Sequence, residues 1–144
     1  MRIEISAMAV ALIAEIASAG CDGTSPCPIE AAREVGAQDC GPIWAGNSEA
    51  EQTQARDCII EAVEASRPFF IEWDNGGTDA AYSAMAGVLV DGVEYAIYRI
   101  SESNDGRIST SRCASLEILE PHAGIEYFPS LACVDGIRVE SCSD

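Results

Sequence analysis

Seven cysteines at positions 21, 27, 40, 58, 113, 133 and 142 constrain this chain more than any other feature. No two of them have the spacing of a C-x-x-C pair, and His122 is the only histidine. A tetrahedral zinc site draws on tightly paired ligands, because local pairs lower the cost of assembling it. Disulfides tolerate wide spacing. In a chain of 144 residues, such a density reads as disulfide stapling in an oxidising compartment, ahead of free buried thiols or a metal site.

The length suits one domain. With 48% hydrophobic residues, the chain can build a core and is not disordered by composition. The net charge is −16, from 24 acids and 8 bases, and every base is arginine. A field of that sign repels phosphate backbones, so no nucleic-acid partner is expected. The acids serve solubility, or the recruitment of cations or a basic partner.

The N-terminus has the layout of a secretory signal. Arg2 and the α-amino group form a short basic start, Ser6 to Ala14 is an apolar run, and Ser18, Ala19 and Gly20 are small residues before Cys21. The run is too short and too interrupted for a stable transmembrane span. Residues 1–20 are therefore expected to be a signal peptide, 21–46 a Cys/Pro/Gly-rich lead segment, and 47–144 a single α+β domain. Ala19-Gly20-Cys21 resembles the lipobox of bacterial lipoproteins, with Ser18 in the usual leucine position. The resemblance covers the first 21 residues and implies that Cys21 becomes the lipidated first residue and a membrane anchor. Cysteine parity agrees, since removing Cys21 leaves Cys27, Cys40, Cys58, Cys113, Cys133 and Cys142 as disulfide candidates. Six cysteines allow three bridges in 15 pairings. The alternative is a structural helix or strand at the N-terminus: Glu4 and Glu15, spaced by eleven, share one helical face.

In the lead segment, Ile29 to Gln38 is predicted as a short helix, with Pro28 at or before its first turn. Cys27 and Cys40 flank it, and could be bridged or could tie it to the main body. Ser48 to Ser66 is the clearest helix. Ser48 and Glu51 form a capping box, and Ala55, Cys58, Ile59, Ala62 and Val63 make one apolar face that Ile60 broadens. Pro68 ends it and biases Arg67 away from helix. Cys58 then serves as a staple between helix and sheet.

Phe69 to Asp74 reads as a strand, followed by a turn at Asn75-Gly76-Gly77. Gly87–Val90 and Val93–Ile100 flank Asp91-Gly92, the strongest hairpin signal in the chain. Ser103 to Gly106 is a further turn. Ile108 to Glu120 adds one strand, with Cys113, Leu116 and Ile118 facing in. The tail from Pro121 is loop-rich, with short strands at Ile125–Phe128 and Ile137–Glu140, and Cys133 and Cys142 pin it. The predicted fold class is α+β: one main helix packed on an antiparallel sheet of about four strands, disulfide-stapled. There is no βαβ repeat, which disfavours a Rossmann-type fold.

The run C-x₈-R-P-F-x₃-W-x₃-G-x-D is formed by Cys58, Arg67, Pro68, Phe69, Trp73, Gly77 and Asp79, with Tyr95 and Tyr98 downstream. It resembles small uncharacterised secreted proteins and lipoproteins of myxobacteria. The resemblance covers about half of the mature chain. It implies export and the helix-then-sheet order, and carries no mechanism.

No residue is singled out as catalytic, cofactor-binding or metal-ligating. Aligning Gly106 to the sixth position of a calcium loop puts Ser101 and Arg112 where acids belong, so a β-turn suffices. Asp74, Asn75 and Asp79 share a glycine-rich loop that could hold calcium weakly, though a polar hairpin loop explains them. His122 would need a free thiol beside it to form a nucleophile pair, and no G-x-S-x-G elbow exists. Glu72 beside Trp73 could line a groove, with a core position the plainer expectation for Trp73. The leading expectation is a non-enzymatic exported domain with a binding or structural role, its protein or glycan partner open. The competitors are a carboxylate-dependent envelope hydrolase, and a small inhibitor presenting the loop Asp74 to Asp79.

Overall fold

The alternation of side chains along the strands decides how this chain layers. The computed structural model describes residues 2–4, 27–43, 47–73, 82–103, 105–118 and 131–139. In chain order the elements are strand β1 (Arg2–Glu4), helix α1 (Cys27–Glu34), strand β2 (Gln38–Asp39) and helix α2 (Glu49–Glu64). Seven more strands follow: β3 (Phe69–Trp73), β4 (Tyr82–Val90), β5 (Glu94–Glu102), β6 (Ile108–Cys113), β7 (Ser115–Ile118), β8 (Leu131–Val134) and β9 (Ile137–Val139). One sheet runs β2-β3-β4-β5-β6-β9 and a second runs β1-β7-β8. Among the described strands β2 and β3 pair in parallel, a bridge between Ile43 and Trp73 continues in the same sense, and the other pairs are antiparallel.

Each face of the larger sheet has its own cover. Phe69, Ile71, Trp73, Met85, Tyr95 and Ile97 belong to one core with Ala55, Ile59, Ala62 and Val63 of α2 and with Leu116 and Leu131 of the smaller sheet. On the opposite face Ala84, Ala86, Val88 and Ile100 pack with Ile29 and Ala32 of α1. The inner strands are thus covered on both sides, which is why β3 and β4 read as nearly continuous apolar runs.

The helix signals hold closely. Ser48 accepts from the backbone N–H of Glu51, whose carboxylate accepts from the backbone N–H of Ser48 at 2.7 Å. The hairpin signal holds as well. Asp91 and Gly92 take φ of 51° and 70°, and Val93 N–H donates to the Val90 carbonyl at 3.1 Å. Ser103 to Gly106 also turns, with Gly106 N–H donating to the Ser103 carbonyl at 2.8 Å.

The α+β class stands and the short helix expected at Ile29 to Gln38 forms as α1, at Cys27–Glu34, but the expectation of about four strands is corrected. Among the described residues the main sheet has six strands and a second sheet has three. The segment Ile108 to Glu120, read as one strand, divides at Ala114. β6 stays in the larger sheet while β7 pairs with β8, and Ala114 N–H donates to the Val134 carbonyl at 3.0 Å. β8 lies in the tail read as loop. The strands that escaped notice are two to four residues long, too short to show a period of two. α1 packs over β3 and β4 on that face, where Ala84 and Ala86 leave room for it against the strands.

Among the described residues two disulfides link the layers. Cys40–Cys58 ties the residue after β2 to the middle of α2, with Cα atoms 5.7 Å apart. Cys113–Cys133 ties β6 to β8, and so one sheet to the other, with Cα atoms 5.1 Å apart. Cys58 therefore staples helix to sheet edge, as its place on the helix face suggests. Cys21, Cys142, the run Ser6 to Gly20, the Asn75–Gly77 turn and the Ile125–Phe128 strand lie outside the described residues.

Candidate functional site

Among the described residues, two places gather polar side chains on one surface. The first is a groove of about 1240 Å³ between α2 and residues 38–43. Parallel pairing of β2 with β3 sets one wall: Gln38 N–H donates to the Pro68 carbonyl and Cys40 N–H to the Phe70 carbonyl. The groove's other wall is α2, and the Cys40–Cys58 bridge crosses between the two. Gln38 Nε2 contacts Cys58 Sγ at 3.2 Å.

The groove is acidic, with Asp39, Glu49, Glu51, Asp57 and Glu61 along it. Several of these carboxylates already have structural partners. Asp39 accepts from Gly41 N–H at 3.0 Å, and Asp57 accepts from Arg56 at 3.4 Å. Glu51 closes the capping box. The hydrogen bonds from Ser48, backbone first, hold its carboxyl below the ordinary value. A general acid needs a shift in the other direction.

The second place is the α2-facing side of the larger sheet, toward its far end. Trp73, Ser83, Ser101 and Ser109 pair in succession across β3, β4, β5 and β6. The neighbouring row carries Arg99 opposite Ser111, and Ser111 opposite Arg138. Residues directly opposite in a ladder share a face with Cβ atoms ~5 Å apart. The hydroxyls of Ser101 and Ser109 meet at 3.1 Å, and the Arg99 guanidinium lies 6.0 Å from the centre of the Trp73 ring. Burial of that guanidinium pushes its pKa downward.

The structure separates one pair that the sequence reading placed together. Glu72 points to the α1 side, where it meets Arg33 at 2.5 Å, whereas Trp73 is buried in the α2-side core. Adjacent residues on a strand face opposite ways, so the two line no common groove. Asp105, in the rejected calcium loop, bonds Ser103 and Arg107 instead. Its carboxyl is held low, first by Ser103 and then by Arg107. His122, Asp74, Asn75 and Asp79 lie outside the described residues. Among the described residues, no group of three His, Cys, Asp or Glu side chains is placed to hold a metal ion.

Arg99 was missed by the sequence reading. Its signal was an arginine within the apolar run Tyr95 to Ile100 of strand Glu94–Glu102, which β-propensity alone treats as an outward residue. Compared with protein-family models, curated proteins and solved structures, the chain matches none.

Proposed function

We propose that this is an exported, disulfide-stapled binding domain of the cell envelope or extracellular space, anchored through lipid on Cys21. The observation that carries the reading is the placing of the two bridges. Each joins elements from different layers, Cys40–Cys58 between the β2 edge and α2 and Cys113–Cys133 between the two sheets. Bridges of that kind persist where the surroundings are oxidising. They also hold surface walls in fixed geometry, which lowers the entropic cost of binding.

Processing at Cys21 would remove β1, whose contribution to the sheets is three residue pairs along β7. The six-stranded sheet and both bridges are built from later residues. The test is intact mass and fractionation of the protein from its native host. A chain beginning at Cys21 with acyl mass, recovered from the envelope, is the expected result. An unprocessed chain beginning at Met1 in the soluble interior of the cell would overturn the reading.

A further inference from the structure

We infer that the serine-lined end of the α2-facing sheet surface is a receptor for an oxyanion, with Arg99 as its central donor. Arg33, Arg56, Arg107 and Arg112 each pair with a carboxylate. Arg67, Arg99 and Arg138 pair with no carboxylate among the described residues, although the chain carries 24 acids, and of the three only Arg99 is not exposed to solvent. Removing a cation from water without a counter-charge is costly, and buried arginines are as a rule paired. Here the guanidinium sits half-buried on a central strand, against the face of Trp73.

Its register neighbours are what an anion needs. Ser111 stands opposite Arg99, Ser101 is two residues along the same strand, and Ser109 bonds Ser101. Arg138, exposed on β9, stands opposite Ser111 and adds a second guanidinium to the row. A guanidinium has five N–H donors and no acceptor, Ser111 has one hydroxyl donor, and the bonded Ser101–Ser109 pair keeps one donor between them. A patch so rich in donors complements an acceptor-only group: a carboxylate, or a sulfate or phosphate ester. Charge-assisted hydrogen bonds to such groups are about twice as strong as neutral ones. The local cation also explains how an anion is held by a chain of net charge −16: contact at a half-buried site is screened far less than the surface field around it.

This inference names the chemistry that the binding domain proposed above would recognise and rests on that reading for its purpose. Its test does not depend on export, which the N-terminal mass decides separately. The disulfide-intact protein is titrated with sodium acetate, sodium sulfate and sodium chloride at matched ionic strength, following the Arg99 Nε–H resonance. Acetate or sulfate is expected to give a saturable shift that chloride does not. Tighter acetate binding assigns a carboxylate ligand, and tighter sulfate binding a sulfate or phosphate ester. Arg99→Gln should abolish the saturable response, read on neighbouring backbone amides. Arg99→Lys should weaken it, because the planar fork is lost while the charge stays. Ser111→Ala should weaken it by about tenfold, the loss expected for one hydrogen bond to a charged group. Identical responses to all three salts, or unchanged binding in folded Arg99→Gln, would overturn the proposal. If Arg99→Gln does not fold, unchanged binding in both Ser111→Ala and Arg138→Gln would do the same.

Discussion

The phenol of Tyr95 donates to the backbone carbonyl of Arg67 at 2.9 Å, joining the second strand of the hairpin to the turn that leads from α2 into β3. Its hydroxyl lies over Gly87. A Cβ at Gly87 would stand 2.5 Å from Phe69 Cε1 and closer still to the Tyr95 hydroxyl. Gly87 thus admits two aromatic side chains to one point of the core.

Gly87→Ala should destabilise the protein by about 3 kcal/mol, in the range of overpacked cores. Tyr95→Phe should cost about 1 kcal/mol for the lost hydrogen bond. Urea denaturation of the two variants checks both, with the larger shift in midpoint expected for Gly87→Ala.

Burial raises the Tyr95 pKa above the ordinary 10.0. The folded state therefore resists losing that proton and the unfolded state does not. The stability from this group is complete below pH 10 and is lost as pH rises through that value toward the folded pKa. Urea midpoints measured between pH 8 and pH 11 should fall more steeply for the native chain than for Tyr95→Phe.

The capping box titrates in the opposite direction. Glu51 is held below the ordinary 4.5 by Ser48, so its contribution is present above pH 4.5 and is lost as pH falls below it. Glu51→Gln should remove that part of the acid dependence. Ser48→Ala should cost about 1 kcal/mol at neutral pH. Acid titration followed by helix circular dichroism reads both.

Ile29 is fully buried between α1 and the sheet. Ile29→Ala should cost ~2–5 kcal/mol, the range for a core isoleucine. A loss of that size in thermal denaturation, as large as that for Ile59→Ala on α2, would show that the segment before residue 47 is part of the cooperative fold. A change within about 0.5 kcal/mol, as on an open surface, would show that it is not.

Legibility in the sequence followed the strength of local signals. Ser48 and Glu51, the Ala55–Ile59–Ala62 stripe and Asp91-Gly92 each combine a turn or cap residue with a period, and each lands where the chain suggests. Gln38–Asp39 carries no such signal, because it joins the sheet only through the carbonyls of Pro68 and Phe70, contacts with distant residues. The break at Ala114 was equally silent: β-branched and apolar residues continue on both sides, and the switch of sheets is set by pairing with Val134. Cys58 was legible as a staple, whereas its partner Cys40 was not, since parity and spacing leave many pairings open. The oxyanion patch was the least legible. Its residues come from three strands, and only the register brings Arg99, Ser109, Ser111 and Arg138 into adjacent rows.

Bridges between layers tie this fold together. Cys40–Cys58 spans 18 residues and Cys113–Cys133 spans 20, so opening either should cost about 3 kcal/mol in loop entropy. The most direct measurement is non-reducing peptide mapping of the protein purified from its native host with thiols blocked at lysis. The predicted result is a peptide joining Cys40 to Cys58 and another joining Cys113 to Cys133, with no blocking group on any of the four. Blocked thiols at these four positions, or bridges that pair them differently, would contradict it.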